Sequence, residues 1–270
     1  MTDLLSHDTG RVVRTGPIAP RSALAKLAAA LLISVPLILS IDVLSASVAL
    51  LLSVPLLLMS GLRPREFWLR TAVLWIAAPL SAATIALYGA TSGTIYFEWL
   101  VMRVSEGSLS LAAATALRVL AIGLPAVVLF STVDPTNLAD DLAQRLRLPA
   151  RFVIGALAGL RMLGLLADDW RALALARRAR GVADEGRIRR GLGMAFALFV
   201  LAIRRGSSLA TAMEARGFGG RGRRTWARPS RWGRGDTILL LVAVMIPTAA
   251  LSAAVVFGTW NFILGPSVAG

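Results

Sequence analysis

Five apolar runs, Leu24–Ser40, Val43–Ser60, Thr71–Ala90, Leu109–Ser131 and Thr237–Phe257, constrain this chain more than any other feature. Each falls within the roughly 17 to 25 residues that a helix needs to cross a bilayer. In lipid, backbone groups must be satisfied internally, so only helices or closed barrels span. Each run holds one proline: Pro36, Pro55, Pro79, Pro125 or Pro247. Membrane helices tolerate proline as a bend whose freed groups neighbours re-satisfy. With 56% apolar residues and a mean hydropathy of +0.70 over 270 residues, the chain is too apolar for a soluble domain. The expected fold is an all-α, polytopic membrane protein with about five transmembrane helices.

The loops orient these runs. Arg11, Arg14, Arg21 and Lys26 precede the first run, and Arg63, Arg65 and Arg70 separate the second from the third. Lys and Arg mark the cytoplasmic side. Only Asp42 separates the first and second runs, and the loop from Thr91 to Ser108 carries Glu98, Glu106 and Arg103, which places both outside. The N-terminus is then cytoplasmic and the C-terminus external. The net charge of +14 follows from this bias and from an arginine-dense block between Arg145 and Arg234. No aromatic-interleaved basic groove accompanies it, so nucleic acid is not an expected partner.

Catalytic chemistry is missing. The sequence has no cysteine, its only histidine is His7 in the polar leader, and its only lysine, Lys26, lies in no Gly-rich phosphate loop. These facts exclude a disulfide or thiol-metal site, a histidine-based triad and a Walker-type ATPase. No cofactor or metal is expected. The paired acids Asp140–Asp141, Asp168–Asp169 and Asp184–Glu185 stand beside arginines and read as solvated or salt-bridged faces, since adjacent residues on a helix do not face each other.

The block between the fourth and fifth runs holds more structure than a loop needs. Ser131–Pro149 opens on Asp134–Pro135 and places Leu138, Leu142 and Leu146 at helical spacing, which predicts an amphipathic helix near the membrane surface. Ala150–Arg180 reads as a long helix containing Gly155 and Gly159, whose spacing allows close approach of another backbone. Arg187–Arg216 reads as its partner, with an apolar stretch too short to span. The two are expected to cross at Gly155 and Gly159 as cytoplasmic helices. Each ends on the same tripeptide, Ala179-Arg180-Gly181 and Ala215-Arg216-Gly217. Glycine there supplies the left-handed residue that terminates a helix, and a cation favours the negative end of the helix dipole. Arg118, midway along the fourth run, is an intramembrane charge expected to face the bundle interior or to snorkel from a tilted helix. The chain thus divides into a cytoplasmic tail (1–23), a four-helix membrane region (24–131), a coupling-helix region (132–235) and a final span with external tail (236–270).

Four spans, the entry Thr132–Pro135, the following "DDLAQRLRLP", "ARRARG" and "MEARGF" in two helix ends, and a last span together resemble the transmembrane T component of energy-coupling factor importers. The resemblance covers most of the chain after Leu24. It implies a non-catalytic scaffold in a bacterial or archaeal plasma membrane. Two ABC-type ATPase subunits would dock on Ala179, Arg180, Gly181 and on Ala215, Arg216, Gly217. A separate membrane S component would bind the vitamin or transition-metal ion. Two other readings remain: a secondary transporter or channel using Arg118, and a basic membrane-anchored scaffold that binds anionic lipid.

Overall fold

The computed structural model describes residues 16–40, 42–89, 93–99, 102–181, 186–220, 225–226 and 228–259. The leader through Thr15, the pair Asp184–Glu185 and the tail from Trp260 lie outside the described residues. The helices are α1 (Ala23–Ile38), α2 (Val43–Leu58), α3 (Pro64–Tyr88), α4 (Glu106–Ser131), α5 (Pro135–Gln144), α6 (Ala150–Ala179), α7 (Arg187–Ala215) and α8 (Arg234–Val256). The architecture is all-α apart from one short hairpin in the segment expected to be a plain loop before α4. There β1 (Ile95–Trp99) pairs antiparallel with β2 (Met102–Ser105), Ile95 opposite Ser105 and Trp99 opposite Met102. The chain forms two compact units, 1–134 with 231–270, and 135–230.

In the first unit α4 packs against α1, α2 and α3, and α8 packs against α1 and α2. The core repeats at helical spacing: Ala25, Ala29, Ile33 and Leu37 on α1 meet Leu239, Ala243, Ile246 and Ala250 on α8, with Ala121 and Leu129 from α4. Small residues at alternate contacts bring the backbones close, as membrane bundles require in the absence of a hydrophobic drive between helices. Gly123 serves the α3–α4 contact, because a Cβ there would lie 2.6 Å from Leu74 Cδ2. The opposite faces carry exposed Leu31, Leu51, Leu58, Val73, Ile76 and Leu241, an apolar girdle suited to lipid. Pro36, Pro55, Pro79, Pro125 and Pro247 all lie inside unbroken helices.

Polar side chains fix the helix starts. Asp42 caps α2 by accepting the Ser45 N–H at 2.7 Å and the Ser45 hydroxyl at 2.6 Å. Ser105 and Ser108 cap α4 reciprocally, and the Ser108 hydroxyl also donates to the Ala86 carbonyl of α3 at 3.1 Å. α3 starts at Pro64, at the first helical position that proline favours, seven residues before the apolar run begins.

By length and composition alone, α3, α4, α6, α7 and α8 could cross a membrane. The number expected is met with a different membership. α1 and α2 have 16 residues each: α1 stops at Ile38, and the Asp42 cap fixes the start of α2. α6 and α7 reach 30 and 29 residues, the long helices expected. The apolar stretch of α7, expected to be too short to span, is long enough by length and composition once Ile188–Ala215 is taken as one helix.

In the second unit α5 lies on the first half of α6, burying Ala139, Ala143 and Val153 against Leu142 and Leu157. Its polar side holds the returning chain. The Gln144 Nε2 donates to the Arg228 carbonyl at 2.8 Å, the Ser230 N–H donates to Gln144 Oε1 at 2.9 Å, and Arg145 Nε donates to the Ser230 hydroxyl at 2.6 Å. That hydroxyl donates in turn to Asp141.

Candidate functional site

Both arginine tripeptides form helix caps with the geometry that their glycines predict. α6 ends at Ala179, and Arg180 follows at φ −87° with Gly181 at φ +69°. α7 ends at Ala215, with Arg216 at φ −89° and Gly217 at φ +74°. At α7 the Gly217 N–H donates to the Glu214 carbonyl and the Phe218 N–H to the Met213 carbonyl, each at 2.9 Å. This bond pair satisfies the last free carbonyls in a Schellman cap. At α6 the Gly181 N–H donates to the Arg178 carbonyl at 3.1 Å, the same inner bond. Arg180 and Arg216 are both exposed, and each rests at the negative end of its helix dipole.

The two tips stand at opposite ends of one helix pair. Arg205 Nη2 on α7 pairs with Asp169 Oδ1 on α6 at 2.9 Å. The Arg177 guanidinium of α6 lies over Gly193 of α7, 3.1 Å from where a Cβ would stand. As the number rises on one helix it falls on the other, so the pair is antiparallel. Arg216 accordingly reaches the start of α6, where it lines a groove of about 780 Å³ with Arg151, Ile154, Met213, Gly217 and Phe218. From Ile154 to Arg180 is about 40 Å along α6 at 1.5 Å per residue. Two cationic handles that far apart can engage two separate bodies, or two sites on one large body.

Gly155 and Gly159 are placed elsewhere than expected. Both are exposed, and a Cβ at either would meet nothing within 4 Å. α6 and α7 touch further along, at Asp169 and Arg177, where an ion pair and a flat guanidinium replace the close glycine crossing. That contact was missed in the sequence, although Gly193 carried the signal of a small residue facing a neighbour. Phe218 was missed as well; an apolar residue after the glycine commonly closes a Schellman cap on the residue at Met213's position.

Arg118 lies in α4, partly buried, and its Nη2 atom is buried without a hydrogen-bond partner among the described residues. Of the acid pairs, Asp168 and Asp169 are salt-bridged, to Arg171 at 3.1 Å and to Arg205. Asp141 is salt-bridged too, 3.5 Å from Arg145 Nε, and it is buried, with the Ser230 hydroxyl donating to it. Among the described residues no cluster of His, Cys, Asp and Glu could hold a metal ion.

Comparison with known proteins gives a consistent assignment. The family model CbiQ, described as cobalt transport protein, matches residues 18–226. The chain is 32% identical over 200 residues to the energy-coupling factor transporter transmembrane protein EcfT of Exiguobacterium sibiricum, covering 69% of this chain and 72% of that one. It is 30% identical over 199 residues to EcfT of Limosilactobacillus fermentum, covering 69% and 71%, and 31% identical over 191 residues to EcfT 1 of Listeria monocytogenes, covering 66% and 71%.

Proposed function

We propose, from the premise that this chain belongs to the CbiQ family of cobalt transport proteins and is a membrane component of an energy-coupling factor transporter, that its two arginine tips each seat one ABC-type ATPase subunit. The observation that carries this reading is the pair of exposed arginines, each followed by a left-handed glycine, at opposite ends of the antiparallel α6–α7 pair. Two subunits would take one foothold each, about 40 Å apart along α6, and the repeated tripeptide gives both the same contact. The chain itself is non-catalytic and passes movement of the ATPases to an S component that holds the vitamin or transition-metal ion.

α7 supports a partner of that kind with one exposed apolar stripe, Ile188, Leu192, Phe196, Phe199 and Ile203, spaced along a single helical face. The open Gly155–Gly159 face of α6 admits close approach of a further helix. The arginines that flank these stripes favour the cytoplasmic side for α6 and α7, with the N-terminus also inside a bacterial or archaeal plasma membrane.

The test is co-purification of the chain with its co-expressed ATPase pair at physiological salt, for Arg180→Glu, Arg216→Glu and the exposed control Arg204→Glu. Removing one side of a desolvated charge contact costs about 2 to 5 kcal/mol, so the first two should lose more than about tenfold in affinity while the control does not. Equal, mild losses in all three replace docking with diffuse attraction. The unpartnered Nη2 of Arg118 favours the transporter or channel alternative, which predicts solute flux by the chain alone in liposomes without ATPases.

A further inference from the structure

The chain passes between its two units twice, after Asp134 and before Arg231. Within the first unit both passages are tied to the same short segment, Ala19–Lys26. Lys26 is the only lysine in the sequence and is 2% exposed. An ammonium so far from water must have its protons accepted. Its Nζ donates to the Ala19 carbonyl at 3.0 Å and to the Thr132 carbonyl at 3.1 Å. Thr132 is the C-cap of α4, whose last turn has no basic residue of its own. α1 therefore supplies the cation that the negative end of α4 favours, and Arg70 of α3 adds a second, donating to the Ser131 carbonyl at 3.2 Å.

The return passage is held by a carboxylate. Asp236, 3% exposed and in the first turn of α8, accepts the Gly233 N–H through Oδ2 and the Ser22 N–H through Oδ1, both at 2.8 Å. Its charge suits the positive end of α8, whose N-cap Gly233 has no side chain to offer. Ser22 is the N-cap of α1, one helical turn before Lys26. Arg21 fills the space beside Gly235, where a Cβ would lie 1.7 Å from its Nη1. The end of α4 and the start of α8 thus bond to the same first turn of α1.

We propose that Lys26 and Asp236 are positioning residues that make one footing for both passages, so that a displacement arriving through either is delivered to α4 and α8 together. This goes beyond ATPase docking and does not depend on it. Hydrogen exchange on the full chain in lipid nanodiscs, without ATPases, provides the test. Lys26→Met keeps the side-chain length and deletes the ammonium. Ser22→Pro deletes the N–H that Asp236 accepts, at a φ of −51° that the proline ring can hold, and Ser22→Ala, which removes the hydroxyl and keeps the N–H, is its control.

A lost hydrogen bond to a charged group speeds local opening by about tenfold. Lys26→Met is expected to do so at 131–134, which it touches, and also at 233–238, which it does not. Ser22→Pro is expected to loosen both in the same way, and Lys26→Arg to restore both. Loosening confined to the passage that each variant touches overturns the shared footing. Failure of both variants to insert into the membrane also overturns it, by assigning the two ties to folding alone.

Discussion

A graded series at Gly217 isolates how far the cap of α7 holds Arg216 in place. Gly217 sits at φ +74°, and a Cβ there meets nothing within 4 Å, so a side chain is opposed by the left-handed backbone alone. That opposition is about 1 to 2 kcal/mol for an ordinary L-residue and less for Asn, whose short polar side chain visits this region. The two cap bonds at 2.9 Å contribute about 0.5 to 1.5 kcal/mol each, enough to keep the cap formed in the glycine chain. A shift of 1 to 2 kcal/mol changes the capped population by up to about 5- to 30-fold. The apparent dissociation constant of an ATPase that binds only the capped tip rises by the same factor. Titrating the ATPase pair onto the chain in nanodiscs should rank affinity as Gly, Asn, Ala, Val, with Val weakest by no more than about 30-fold. Gly181, at φ +69° and equally open, should repeat the order. A flat series contradicts this account because the cap then positions nothing. An Ala variant as weak as Arg216→Glu contradicts it too, since a methyl group must then strike the bound partner.

Two further outcomes follow from the packing of the first unit and from the expected orientation of the helices. Gly123→Ala should lower the thermal stability of the detergent-solubilised chain by about 1 to 3 kcal/mol through overpacking, and added Leu74→Ala should recover most of it; additive losses would show that the two positions do not touch. Because the sequence lacks cysteine, single Ser110→Cys and Ser208→Cys chains can be labelled cleanly, the first from outside and the second from inside, and external labelling of the second removes α7 from the cytoplasm.

The helix ends were legible because their signals are local. Each glycine after an Ala-Arg pair marked its helix end to within one residue: the helices stop at Ala179 and Ala215 with the arginines as C-caps, since the left-handed position admits few other residues. Hydropathy found where α4 and α8 run. It placed the start of α3 late, because Pro64 and Glu66 are helix-start signals in a polar stretch that a search for spans passes over. Asp42 was read as a loop charge only, although it caps the start of α2. Lys26 was counted as a marker of the cytoplasmic side. Its bond to Thr132, 106 residues away, belongs to packing, on which no spacing within α1 bears. The same holds for Gly155 and Gly159, whose spacing shows that a backbone could approach and leaves open which one.

The antiparallel order of α6 and α7 decides what kind of load their joint can bear. Handles at the same end of two rods would open and close them like tongs. Handles at opposite ends, drawn towards one another, push the rods lengthwise past each other, and the joint carries shear. Here that joint includes the part-exposed pair Arg205–Asp169 and the Arg177 guanidinium lying over Gly193. A part-exposed ion pair is worth about 0 to 1 kcal/mol, and a guanidinium over a glycine has no side chain to catch on, so the helices can creep along each other without first coming apart.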